Sequence, residues 1–371
     1  MQKVKWSKMR KNMYNENPFD AEFGGIPELY LDFNDDAVKF AQRAHRLKKH
    51  PTYSLFITGV RGSGKTVFMN KVGKELKKYK DTMVVTLHNS DDLFRMMYIK
   101  LVPMLDKIKK WTPSISIKVP FVSVDFTEAN EKHDEIYYKV EINKILKALN
   151  KVGIRVAFCI DEVSNTPTIQ KLAEEFNDWS LNNYQVSVIM TGLLSEVAEL
   201  SGTHNLTFLV RADRFHVSKL FASSIARTYM DVLDITAKQA EILADMSKGY
   251  AYAFQLIGDL MYENLSQKMT FEKALEYTKL RFRDVLFNQA YDVIAHELTD
   301  VDFQFLYAMA QDNSISSIIR TMQKSKQYVN SYRAKLIKYD LIKPIIRGKV
   351  GFTLPLFRDF IQAKYDELNW G

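Results

Sequence analysis

The chain has 371 residues, 46% of them apolar and 26% charged, which supports two or three packed domains and excludes a disordered polyampholyte. Its single cysteine, Cys159, excludes an intramolecular disulfide and a thiol-rich metal site and fits a reducing cytosol. A net charge of +8 decides little by itself, because a modest basic surplus is often a solvated surface; where the charge sits matters more.

Residues 1–50 open with a basic arm, "MQKVKWSKMRK", which has five basic side chains and no acid. No apolar stretch of secretory-signal length follows, and no run approaches the roughly 20 apolar residues of a membrane helix. The expectation is a soluble, cytoplasmic protein with no membrane contact. A turn-rich stretch, "NENPFDAEFGGIPELY", leads to a helical pattern through "DDAVKFAQRAHRLKKH".

From residue 51 to about 220, short apolar runs alternate with 3.6-period stretches. The strand candidates are "YSLFIT" (53–58), "TMVVTLH" (82–88), "IRVAFCI" (154–160), "QVSVIMT" (185–191) and "RFHVSKL" (214–220). Helix patterns such as "KTVFMNKVGKELKKY" and "EIYYKVEINKILKALNKV" lie between most of them. Buried strands alternating with helices predict an α/β fold, a parallel sheet covered on both faces.

Two motifs sit at strand ends in this region. "GVRGSGKT" (59–66) follows the first strand and opens a helix, which is the context of a phosphate-binding P-loop. Its glycines let successive main-chain N–H groups turn onto phosphate oxygens, and the helix that follows presents its positive end. Gly59, Val60, Arg61, Gly62, Ser63, Gly64, Lys65, Thr66 and Val67 are therefore the expected ATP contacts. Lys65 is expected to reach the β- and γ-phosphates, and Thr66 to ligate Mg²⁺. "VAFCIDEV" (156–163) ends a strand in two carboxylates, placing Asp161 to hold Mg²⁺ through water and Glu162 to deprotonate the attacking water.

Thr191 ends the next strand, where it is placed to touch the γ-phosphate or the lytic water. Arg211 and Arg214 lie just before the last strand. One of them, with Arg211 preferred, is expected to reach a neighbouring copy's nucleotide as an arginine finger, which implies a homo-oligomer. Asn89 ends the second strand and is a candidate for restraining Glu162. Cys159 reads as core packing.

After about 220 the strands stop, and residues 221–297 read as an all-α block. Thr236 followed by Gln239 is a candidate capping box. Residues 218–297 carry nine basic and eleven acidic side chains, so this block is no polyanion binder. Residues 298–371 hold three helical stretches and then "LIKPII-RGK-VGFTLP", a β-hairpin pattern. Residues 320–349 contain nine basic side chains and one acid, Asp340.

In "SKQYVNSYRAKLIKYDLI", Val329, Tyr332, Leu336 and Ile337 share one helical face, and Lys326, Asn330 and Arg333 another. Arg347 and Lys349 tip the hairpin. A helix followed by a basic-tipped hairpin is a winged-helix layout, fitted to double-stranded DNA or, alternatively, to a protein partner.

Taken together, "NPFDAEFGGIPE", "GVRGSGKT", "CIDEV", "VIMTGL", "LVRADRF", "GYAYAFQLIGDL" and "SYRAKLIKYDLI…GFTLPLFRDFIQ" resemble AAA+ ATPases of the origin-recognition and initiator type, in particular their smaller bacterial relatives. The resemblance spans nearly the whole chain. It implies a P-loop AAA+ αβα core, an all-α lid and a C-terminal winged helix, with ATP and Mg²⁺ as cofactors and assembly controlled by nucleotide. Two departures stand out. "YLDFNDD" replaces the family's Gly-Arg after the "NPF" box, and "GYAYAF" has no arginine where many AAA+ proteins carry a second sensor. Hydrolysis is accordingly expected to be slow. The alternative function is a regulatory nucleotide switch of negligible turnover.

Overall fold

A computed structural model describes residues 16–21, 27, 29–31, 35–46, 51–111, 134–193, 196 and 211–369. The basic arm of residues 1–11 and Leu209 and Val210 of "LVRADRF" lie outside this set. The chain divides into two compact units: residues 1–32, 59–64 and 217–371 form the first, and residues 33–58 and 65–216 the second.

The second unit is built on a five-stranded, wholly parallel sheet: β1 (Tyr53–Thr58), β2 (Thr82–His88), β3 (Arg155–Asp161), β4 (Val186–Gly192) and β5 (Asp213–His216). The spatial order is β2-β3-β4-β1-β5. The chain leaves β1 for the far edge at β2, steps back through β3 and β4, and adds β5 on the outer side of β1. Such a reversal opens a crevice at the carboxyl ends of the central strands, where open α/β sheets bind ligands.

Helices cover both faces. Strand alternation sends Phe56, Phe158, Ile160, Val188 and Met190 into one apolar core with Leu93, Met97 and Leu101 of α3 (Leu93–Trp111), Ile142 and Leu146 of α4 (Glu135–Lys151), and Ile169, Leu172 and Trp179 of α5 (Pro167–Leu181). The Trp179 indole donates to Asn143 Oδ1 at 2.7 Å, so the largest buried side chain keeps its one polar group satisfied. On the opposite face, a Cβ at Gly73 of α2 (Lys65–Leu76) would meet Val84 and Cys159 at 3.4 and 3.5 Å. Cys159 is core packing, as predicted, and burial pushes its thiol up to about 12. Phe215 of β5 stacks on Phe68 of α2, and Phe40 of α1 (Asp36–Arg46) meets both rings edge-on.

The predicted strand 214–220 is in fact 213–216. Its second half belongs to the first unit, where Leu220 donates to the Gly249 carbonyl rather than to a sheet neighbour. Arg214 therefore lies within the strand rather than before it.

In the first unit, α6 (Ala222–Leu233), α7 (Ala237–Ser247), α8 (Ala251–Ser266) and α9 (Phe271–Val285) form an all-α block, and α9 runs through a π-helical segment (Leu286–Tyr291) into Asp292–His296. The capping box of Thr236 and Gln239 opens α7 as predicted. The "NPF" box docks on α8. Asn17 bonds to Asp259, the Asp20 N–H donates to Gln255, and the Phe19 ring lies where a Cβ at Gly258 would approach it to 2.3 Å.

Next come α10 (Asp300–Gln311), α11 (Ile315–Met322), α12 (Lys326–Lys338), the hairpin β6 (Ile342–Ile346) and β7 (Lys349–Phe352), and α13 (Phe357–Asn369), in the helix–hairpin order predicted for a winged helix. Among the described residues, no helix is long and apolar enough to cross a membrane.

Candidate functional site

The glycine turn, residues 59–64, belongs to the first unit. Gly62 and Gly64 have φ of +74° and +95°, a region that side-chain-bearing residues rarely enter, and Ser63 N–H closes the turn on Val60 at 3.1 Å. The loop is held from α8: the Tyr250 hydroxyl donates to the Arg61 carbonyl at 2.8 Å and the Tyr252 N–H to the Gly62 carbonyl at 3.1 Å. The Arg61 guanidinium faces Glu297 at 3.6 Å. The Ser63 hydroxyl is buried and meets no hydrogen-bond partner among the described residues. A buried polar group with no partner is costly, and in a glycine-rich turn of this kind a ligand oxygen would satisfy it.

The chain passes from Gly64 directly to Lys65, the first residue of α2 and part of the second unit. Here Thr66 meets the acid pair. Its hydroxyl donates to both carboxylate oxygens of Asp161, at 2.9 and 3.1 Å. The Thr191 hydroxyl also donates to Asp161 and in turn accepts the Glu162 N–H at 2.9 Å. Asp161 is buried, and these two hydroxyls satisfy a carboxylate that would otherwise be expensive to enclose.

Glu162 is exposed and left-handed, with φ +55°, an unusual conformation for a residue with a Cβ. Its neighbours fix it. Asn89 Nδ2 donates to the Glu162 carbonyl at 3.2 Å and to Ser164 at 3.2 Å, and the Asn89 and Val163 N–H groups bond to Asp161 and Thr191. The strand thus ends in a kink that turns the Glu162 side chain outward while Asp161 stays inside.

Thr66, Asp161, Glu162, Thr191 and Asn89 are brought together in this unit. Thr191 is fully buried, and its hydroxyl is engaged with Asp161 and the Glu162 main chain. The Asn89 side chain reaches the Glu162 carbonyl and Ser164. Arg211 is exposed, ahead of β5. Sequence reasoning missed Asp213 beside it, which accepts from Tyr53 at 2.9 Å and Arg43 at 2.6 Å and so ties β5 to β1 and α1.

In the second unit, the oxygen donors of Thr66 and Asp161 fit a hard divalent cation such as magnesium; in the first, the glycine-rich turn by itself fits a phosphate. Among the described residues no group of three His, Cys, Asp or Glu side chains is placed to hold a metal.

In the C-terminal helices the basic residues separate by exposure. Lys326, Arg347 and Lys349 are exposed, whereas Asn330 and Arg333 are half-buried and Arg333 Nε is enclosed with no hydrogen-bond partner among the described residues. Val329 and Leu336 face inward as predicted. The open stripe of α12 runs instead through Gln327, Ser331, Ala334 and Lys338, so the face expected from 326, 330 and 333 turns partly toward the core.

Strand order, glycine turn and acid pair together decide the comparison with solved structures. A Walker-type ATPase of Pyrococcus abyssi matches over 90% of this chain and 96% of its own, with a TM-score of 0.59 at 13% identity. The ORC2 protein of Aeropyrum pernix matches over 93% and 98%, with a TM-score of 0.57 at 13% identity. The chain has the fold of an origin-recognition-type AAA+ ATPase. At that identity the likeness is one of fold alone. A family model described as a domain of unknown function (DUF8462) matches residues 288–361, and no curated protein matches the sequence.

Proposed function

We propose that the chain is a magnesium-dependent ATPase that associates with double-stranded DNA, working as a basic N-terminal arm with its leading helix (1–50), an ATPase core (51–220), a lid (221–297) and a winged helix (298–371). The observation that carries the reading is the acid pair: Asp161 buried against the Thr66 hydroxyl, with Glu162 beside it turned out on a left-handed kink. A fold relative, the A. pernix ORC2 protein, was solved with ADPNP and ADP, which supports a nucleotide in this chain too.

Residues 59–67 would cradle the phosphates through main-chain N–H groups, and Lys65 would neutralise the β- and γ-phosphates. Thr66 and Asp161 would hold Mg²⁺, which when bound supplies charge neutralisation on the phosphate oxygens. Glu162 is the general base: its carboxylate takes the proton from the attacking water, and Thr191 fixes the main chain that aims it. Arg211 of a second copy would stabilise charge on the transferring phosphoryl, making hydrolysis depend on a homo-oligomer. Lys326, Arg347 and Lys349, flanked by Asn330 and Arg333, would contact DNA phosphates.

Equilibrium titration with labelled ATP and Mg²⁺ tests the reading. Wild type should bind, and Lys65→Ala should lose binding while its circular dichroism is unchanged. Equal affinity in the two proteins would defeat the assignment. Exposed Ile345 and Ile346, at 55% and 61%, favour a second reading in which the hairpin seats a protein partner and turnover is negligible. ATPase rates with and without duplex DNA separate the two, since stimulation by DNA supports the first.

A further inference from the structure

Tyr250 is the N-cap residue of α8, and its side chain is almost wholly buried. Its hydroxyl reaches the Arg61 carbonyl at 2.8 Å, and two residues on the Tyr252 N–H reaches the next carbonyl, that of Gly62, at 3.1 Å. Two consecutive peptide planes of the glycine turn are therefore held by one end of one helix. The fit is close enough to dictate sequence on both sides, because a Cβ at Gly62 would lie 2.2 Å from the Tyr250 hydroxyl oxygen and 2.9 Å from the ring carbon that bears it.

A trans peptide is planar, with its N–H pointing opposite to its carbonyl. Fixing the Arg61 carbonyl toward Tyr250 therefore aims the Gly62 N–H away from Tyr250. Fixing the Gly62 carbonyl does the same for the Ser63 N–H, which closes the turn on Val60 at 3.1 Å. Burial holds the Tyr250 phenol well above its ordinary pKa, so the hydroxyl keeps its proton and remains a donor across the physiological range. The stretch from 249 to 254, Gly-Tyr-Ala-Tyr-Ala-Phe, has no cationic side chain to address a phosphate directly.

We infer that Tyr250 is a positioning residue for the phosphate loop, pre-setting the direction of the Gly62 N–H by gripping the Arg61 carbonyl, so that this helix acts on nucleotide through the loop's main chain. The inference rests on the ATP reading above. Orienting the donor before the ligand arrives removes an ordering cost from binding, and losing one neutral hydrogen bond of this kind is worth about threefold to tenfold in affinity.

The test uses the full-length protein and its Tyr250→Phe variant, which deletes the hydroxyl and little else. ADP and ATP affinities are measured by calorimetry, and amide hydrogen exchange of the 59–66 segment is measured without nucleotide. Tyr250→Phe should bind both nucleotides about threefold to tenfold more weakly. It should also exchange faster at 59–66, with β3 exchange and melting temperature close to wild type. Nucleotide affinity and loop exchange both equal to wild type would overturn the inference and leave the ATP reading standing. A melting-temperature drop with unchanged affinity would overturn it as well, by reducing Tyr250 to a packing residue. If wild type itself binds neither nucleotide, the ATP reading fails, and this inference fails with it. Gly62→Ala provides a second route: it should weaken binding more than Tyr250→Phe does, and equal affinity to wild type would count against the inference.

Discussion

The Lys335 ammonium lies 2.5 Å from a carboxylate oxygen of Asp302, whose side chain is fully buried. Asp302 also closes the capping box of α10, accepting from the Thr299 N–H and hydroxyl, so one carboxylate starts α10 and pins α12 to it. The Lys335 ammonium sits over the rings of Tyr332 and Tyr339 as well. Of the nine basic residues between 320 and 349, this one is committed to the fold. Lys335→Met should strand a buried carboxylate and cost about 3 kcal/mol, the low end for a broken buried pair because the lysine is partly exposed. Urea unfolding measures it, and pairing Lys335→Met with Asp302→Leu should recover part of the loss. An unchanged midpoint in the single variant would show that the pair contributes nothing.

That pair also marks where sequence reading stops. The strands β1 and β2, the glycine turn, the acid pair and the Thr236 capping box were legible because each is a local pattern whose cause lies within a few residues. Contacts that join distant residues leave no such trace. Asp302 and Lys335 are 33 residues apart, and the "NPF" box meets α8 through Asn17 and Asp259, 242 apart. The left-handed Glu162 is imposed by Thr191 and Asn89 from neighbouring strands, so nothing in "CIDEV" announces it. The end of β5 differs from the sequence reading because apolar residues continue through Val217 and Leu220, although Leu220 donates to the Gly249 carbonyl rather than to a sheet neighbour. In α12 the periodicity placed the inward face correctly, but a face of three residues could not say which side of it Arg333 would fall on.

Thr191→Val keeps the shape of the side chain and removes both of its hydrogen-bonding roles. The Glu162 N–H loses its acceptor and Asp161 loses a donor, at a cost of about 1–3 kcal/mol for the buried group left unpaired. The kink that aims Glu162 should loosen with it. On the ATPase reading, turnover should fall more than ATP affinity, and Thr191→Ser should restore most of it. Hydrolysis at the wild-type rate in Thr191→Val would remove Thr191 from any positioning role.

Lys219 should make stability depend on pH in the alkaline range. It donates to the Thr353 carbonyl, and its pKa is lowered to about 8 by desolvation of the amine first and then by the charges of Lys343 and Lys248. In the unfolded chain the same amine holds its proton to about 10.4. Between these values the unfolded state binds more protons, so this site's contribution to stability increases as pH rises from about 8 toward 10. Below that window the folded protein carries the charge at a penalty. Melting temperatures of wild type and Lys219→Met at pH 7 and pH 9.5 provide the measurement. The variant should gain most over wild type at the lower pH, and a difference independent of pH would contradict the assignment.

The DNA reading predicts a graded salt dependence. Each cation that neutralises a phosphate releases counterions, so removing one lowers the slope of log affinity against log salt by about one. Lys326→Ala, Arg347→Ala and Lys349→Ala should each do so, because all three side chains are exposed. Arg333→Ala should lower the slope by less and stability by more, because it is half-buried on α12 and its Nε is enclosed. Fluorescence anisotropy with a labelled duplex, at several salt concentrations, yields the four slopes. Wild-type affinity in the protein carrying all four substitutions would remove DNA as the ligand of this surface and leave the hairpin, with Ile345 and Ile346 open beside Arg347, to a protein partner.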